Sequence, residues 1–157
     1  MAPLITLLVT YAAVRVWTEA RGHRDPCERA ARAGLAVMLV LTGAAHFVST
    51  EAMVQMLPPF VPGPFVIVYA TGAFELAAAA LLFARIARPT PWLGWTLAAF
   101  FLALLPANVY SAIAEAGLGG HGPAYLWFRV PLQALFVGWA LFATGAVQRR
   151  RTAVARA

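Results

Sequence analysis

Residues Pro64–Ala84 read PFVIVYATGAFELAAAALLFA, a run of 21 residues with a single charged side chain, Glu75. At a rise of roughly 1.5 Å per residue a helix of this length is about 30 Å long, the thickness of a bilayer's hydrocarbon core. Apolar residues occupy every face of it, so it has no polar stripe to turn toward water. A segment of this kind is stable as a helix in lipid, where the backbone must satisfy its own hydrogen bonds.

Four further apolar stretches flank it, at about residues 33–50, 91–115 and 124–147 and a shorter one at 3–20. A spanning helix needs about 17–25 apolar residues. Three of the four meet that length plainly, and the first is marginal. No basic residue precedes the first run, which argues against a signal peptide and for a peripheral additional span. The whole chain of 157 residues is 62% hydrophobic and 11% charged, with a mean hydropathy of +0.75. A soluble domain is about half apolar and about a quarter charged. The composition therefore excludes a water-soluble fold and disorder, and the single cysteine, Cys27, excludes a disulfide scaffold. The expected fold is all-α: one integral membrane helical bundle over 1–157, with a four-helix core and an additional N-terminal transmembrane helix.

The net charge of +6 comes with twelve basic residues, all arginines. They are not interleaved with aromatics on a soluble face, so nucleic acid is not the expected partner. Arg15, Arg21, Arg24, Arg29 and Arg32 end the first helix or follow it, Arg85 and Arg88 separate the third and fourth, and Arg149, Arg150, Arg151 and Arg156 follow the fifth. Short arginine-rich loops stay in the cytoplasm. Alternate loops agree, which predicts an N-terminus outside and a C-terminus inside, in a bacterial inner membrane. Arg129 is the exception. The outer connection 51–64 carries Pro58, Pro59, Pro62 and Pro64, so its second half cannot be regular helix. Being apolar, it is expected to lie at the interface or fold back over the bundle.

Polar groups at membrane depth are costly and are functional candidates by default. They are His46, Glu75, Asn108, Arg129 and Gln133. His46 lies roughly 20 Å above the inner end of its span, and Glu75 roughly 16 Å below its outer end. Asn108 lies roughly 25 Å up, with Arg129 and Gln133 about 8 and 14 Å down. Four helices thus bring polar groups to the outer half of the bundle. Arg129 and Gln133 are i,i+4 neighbours, as are Thr71 and Glu75, and Thr42 and His46. A buried carboxylate takes up a proton or finds a cation, which predicts a Glu75–Arg129 pair supported by Gln133 and Asn108. Two alternatives stay open: Arg129 snorkelling to the outer headgroups, and a network that only fixes helix register. One buried histidine and one glutamate fall short of a metal site. Pro106 and Pro131 sit inside helices beside these groups and are expected to kink them. Trp92, Trp95 and Trp127 read as interfacial anchors.

The segments TGAAHF (42–47), MLPPFVPGP (56–64), TGAFEL (71–76), PANVY (106–110) and FRVPLQ (128–133) together resemble the DoxX family of small bacterial membrane proteins. The resemblance covers about residues 29–147. It implies a four-helix membrane bundle and an association with quinone-linked redox systems, with His46, Glu75, Asn108, Arg129 and Gln133 as the positions carried over. The chain has no redox cysteine pair and no haem, flavin or iron–sulfur motif. It has no intrinsic cofactor, and electrons would come from a quinone or a cofactor-bearing partner protein. The expected function is a small inner-membrane subunit of a redox system, with a quinone or similar lipid-soluble ligand in the outer half of the bundle. The alternative is a non-enzymatic scaffold or assembly factor whose polar cluster is structural and whose arginine-rich face docks a partner or lipid headgroups. A small transporter is disfavoured, since five spans show no inverted repeat.

Overall fold

A computed structural model of the chain describes residues 2–23, 25–119 and 121–147. The expectations placed on Arg24, Arg149, Arg150, Arg151 and Arg156 fall outside these residues. The described chain is helical: α1 (Ala2–Ala20), α2 (Pro26–Val48), α3 (Thr50–Val54), α4 (Pro64–Ala84), α5 (Pro91–Ile113) and α6 (Leu126–Ala143), with short 3-10 turns at Gly117–Gly119 and Pro123–Tyr125. Three of the long helices, α2, α4 and α5, open on a proline. Proline has no N–H to leave unsatisfied there, and its fixed φ suits the first turn. Gly63 precedes Pro64 in the left-handed region, at φ 60°, which suits a residue without a side chain.

Four segments are long and apolar enough to cross a membrane: α2, α4, α5, and α6 with its preceding turn (Pro123–Ala143). The chain is accordingly a multi-pass membrane protein. α1 is helical over Ala2–Ala20 but is not among the four. Its outward side is nevertheless apolar, with Ile5, Val9 and Val16 exposed.

α2 is the central helix and packs against α1, α4 and α6, while α5 packs on α6. Two crossings depend on glycine. A Cβ on Gly34 would lie 2.7 Å from the Leu7 carbonyl oxygen on α1, and one on Gly72 of α4 would lie 2.6 Å from the His46 Cβ on α2. Leu7, Leu35, Met38, Leu39, Leu82 and Leu97 are fully enclosed between the helices. α4 and α5 are bridged by Phe74 and Phe100, whose ring centroids are 4.5 Å apart.

The two ends of the bundle differ. At one end, α3 packs against the start of α4 and the turn at Gly117–Gly119, forming a cover. The exposed charges beside this cover are Glu51 and Glu115. The other end gathers the C-termini of α1, α4 and α6 with the start of α2, and exposes Arg21, Arg85 and Arg88.

Several boundaries differ from those expected. The second span starts at Pro26 rather than near 33 and ends at Val48, with α3 following Ser49. Arg29 and Arg32 therefore lie in α2 rather than in a loop, as does Cys27. The fourth and fifth spans end earlier than expected, at Ile113 and Ala143. Pro106 and Pro131 sit within continuous helices α5 and α6.

Candidate functional site

The five polar residues fall into two groups, one on α2 and α4 and one on α5 and α6. On the α2–α4 side, His46 occupies the last turns of α2 and Glu75 the middle of α4. Close approach at Gly43 and Gly72 brings these helices together, since a Cβ on Gly43 would meet the Gly72 carbonyl oxygen at 3.1 Å. His46 Nδ1 lies 2.9 Å from the Val68 carbonyl oxygen and 3.2 Å from Thr71 Oγ1. His46 Nε2 faces Glu75 Oε1 at 4.0 Å. Glu75 is 3% exposed, and its Oε2 has no hydrogen-bond partner.

On the α5–α6 side, Arg129 Nη2 donates to Asn108 Oδ1 at 2.5 Å. Gln133 Nε2 donates to the Phe101 carbonyl oxygen, in the stretch of α5 that precedes Pro106. Pro106 withholds the N–H that would serve the carbonyl four residues back, that of Leu102, the neighbour of Phe101. Ring contacts through Phe74, Phe100, Phe101 and Phe136, with successive centroids 4.5, 5.9 and 6.1 Å apart, connect α4 to α5 and α6.

The expected Glu75–Arg129 pair does not form. Arg129 takes Asn108, and the charged or ionisable side chain nearest Glu75 is His46. The rotation of each helix decides this: α4 turns Glu75 toward α2, while Arg129 lies early in α6, which packs beside α5. Among the described residues no three His, Cys, Asp or Glu side chains gather as a metal centre would require.

A groove of about 520 Å³ opens where α2 passes into α3, against the first turns of α4. Val48, Ser49, Thr50, Glu51, Ala52, Phe65 and Tyr69 line it. It is shallow and open, and Ser49, Thr50 and Glu51 make its lining as polar as it is apolar. Tyr69 stacks on Phe47 at 5.6 Å, and Thr50 Oγ1 donates to the His46 carbonyl oxygen at 2.7 Å. The groove therefore lies at the head of the seam that carries His46 and Glu75, with the His46 side chain still 13% exposed.

Arg32 was not expected among the buried residues. It is 2% exposed. Its Nε donates to the Ala143 carbonyl oxygen (2.6 Å), its Nη1 to the Ile86 carbonyl oxygen (2.8 Å) and its Nη2 to Glu28 Oε2 (2.5 Å). Ala143 ends α6 and Ile86 follows α4, so these carbonyls lie at helix ends that lack their own N–H donors and carry partial negative charge. Glu28 and Arg32 at i,i+4 were the visible signal, since that spacing pairs two charges on one helix face.

A family model described as a domain of unknown function, DUF8561, matches residues 35–144. The chain belongs to this family. The DUF8561 region runs from the third turn of α2 to the residue after α6 and contains His46, Glu75, Asn108, Arg129 and Gln133, together with the Gly43–Gly72 crossing. α1 and Arg32 precede it. No curated protein and no solved structure matches the chain.

Proposed function

We propose that this DUF8561 protein is a small subunit of a redox system in the bacterial inner membrane that binds a quinone or similar lipid-soluble ring in the outer half of the bundle. The observation that carries the reading is Glu75. Its buried oxygen without a partner is costly to maintain in a bilayer, and it stands beside a histidine near a groove whose lining includes Phe65 and Tyr69. Glu75 and His46 supply the groups that exchange a proton with the ligand. Asn108, Arg129 and Gln133 tie α5 to α6. The resemblance of the five motifs to the DoxX family supports the same reading. Electrons pass to or from a partner protein that carries a redox cofactor, because the chain holds no such motif.

The orientation we propose places the end with Arg21, Arg85 and Arg88 in the cytoplasm and the end with Glu51 and Glu115 outside, following the bias of arginine to cytoplasmic loops. α1 is then a fifth span, its exposed Ile5, Val9 and Val16 facing lipid.

A second reading has its own support. Arg129 and Gln133 are each engaged by partners within the chain, as groups that merely tie α5 to α6 would be. On that reading the protein is a scaffold. The two separate on Glu75→Gln, which keeps the shape of the side chain. A ligand site loses bound small molecule while thermal stability in detergent holds, whereas a structural cluster leaves any bound lipid unchanged.

A further inference from the structure

Arg32 and Arg129 both lie on spanning helices, and the chain neutralises them very differently. Arg32 spends Nε, Nη1 and Nη2 on three acceptors, one of them the Glu28 carboxylate. Arg129 has one acceptor among the described residues, the neutral Asn108 Oδ1 at 2.5 Å. It forms no ion pair there: Glu75 faces His46, and Glu51 and Glu115, exposed at the same end of the bundle, lie beyond ion-pair reach.

The position of Arg129 in its helix adds to this imbalance. It is the fourth residue of α6, whose first turn holds no acidic residue. A helix N-terminus carries partial positive charge, so a cation there lacks the compensation that the C-terminal carbonyls give Arg32. The guanidinium is half-buried, at a depth where an uncompensated charge is costly. Asn108, 8% exposed, adds further donors. A guanidinium only donates, so the amide must turn Oδ1 to Arg129 and present its N–H₂ on its other side. That amino group donates to none of the described residues.

We propose that Arg129 and the Asn108 amino group form an oxyanion site between α5 and α6 at the Glu51–Glu115 end of the bundle, and that its ligand is a phosphate group. The guanidinium and the amide offer several N–H donors to two oxygens of one phosphate. The surroundings favour a phospholipid as its source. Trp127 and Val130 beside Arg129 are exposed on α6, where acyl chains lie against them, while the carboxylates of Glu51 and Glu115 discourage a free anion arriving from water. This site is separate from the His46–Glu75 seam and does not rest on the ligand proposed there.

The test follows the Tm of the full chain in non-ionic detergent as short-chain phosphatidylglycerol, inorganic phosphate, or the diacylglycerol of the same chains is added. Asn108→Asp is the deciding variant, because its carboxylate neutralises Arg129 from within and keeps the tie between α5 and α6. Arginines at the other end of the bundle are unchanged by it, so any difference belongs to Arg129. The wild type should gain Tm with phosphatidylglycerol and not with diacylglycerol. Asn108→Asp, as stable as wild type without ligand, should need at least about tenfold more phosphatidylglycerol for the same gain, the size of one lost charge-assisted hydrogen bond. Arg129→Gln should weaken the response likewise, and where it folds poorly Asn108→Asp carries the test alone. A gain with inorganic phosphate that Asn108→Asp abolishes supports the oxyanion site and assigns it a soluble phosphate. No gain with either phosphate compound, a gain that diacylglycerol matches, or one that Asn108→Asp leaves within about threefold overturns the site and leaves the pair as a structural tie.

Discussion

Replacing Arg32 with leucine removes a guanidinium that holds three segments together at the arginine end of the bundle. Two of its hydrogen bonds go to backbone carbonyl oxygens, of Ala143 at the end of α6 and of Ile86 after α4. Hydrogen bonds from a charged donor contribute about 1.5–3 kcal/mol each. The third goes to Glu28, whose side chain is 25% exposed and can rehydrate, so its loss costs little. Leucine fills part of the space and removes a buried charge, which offsets some of the loss. The net expectation is a destabilisation of about 3 kcal/mol, or about 6–12 °C in Tm for a chain of this length. Thermal unfolding in detergent measures it, with Arg85→Gln, at an exposed position, as the control expected to stay within about 0.5 kcal/mol. Arg32→Lys should recover less than half the loss, because a single ammonium cannot span both carbonyls in fork geometry. A Tm for Arg32→Leu within 2 °C of wild type, a bound set by that same scaling, would refute the reasoning.

Other perturbations test other parts of the account. Gly72→Leu places a side chain where even a Cβ would lie 2.6 Å from that of His46; it should force α2 and α4 apart and cost about 1–3 kcal/mol in detergent unfolding, whereas Gly138→Ala, whose Cβ meets nothing within 4 Å, should not destabilise. Asn108→Leu strips Arg129 of its acceptor and should cost about 1–2 kcal/mol, with Asn108→Asp retaining stability by restoring an acceptor. The proposed orientation predicts that, in a Cys27→Ser background, Glu115→Cys is labelled by a membrane-impermeant thiol reagent in intact cells and Arg88→Cys only after permeabilisation; the reverse pattern would invert the topology.

Much of the helical architecture is visible in the chain because a bilayer leaves few alternatives. The run Pro64–Ala84 is bounded by Gly63–Pro64 on one side and Arg85 on the other, and α4 covers it. The start of α2 is less visible because Arg29 and Arg32 look like loop charges when hydropathy alone is weighed. Arg32 is buried because the far ends of α4 and α6 bring carbonyls to it, and that arrangement exists only after the helices have packed. The partners of the deep polar residues were hidden for a related reason. Residue spacing tells which groups share a helix face, as it does for Thr71 and Glu75, but the rotation of α4 against α2 is set by Gly43 and Gly72. That rotation pairs Glu75 with His46 and leaves Arg129 to Asn108.

The measurement that bears most directly on the proposed site is mass spectrometry of the small molecules that co-purify with the detergent-extracted protein, wild type beside Glu75→Gln. The account predicts a quinone-type isoprenoid near stoichiometry in the wild type and its loss in the variant, with little change in Tm. Bulk phospholipid alone in both samples would contradict it.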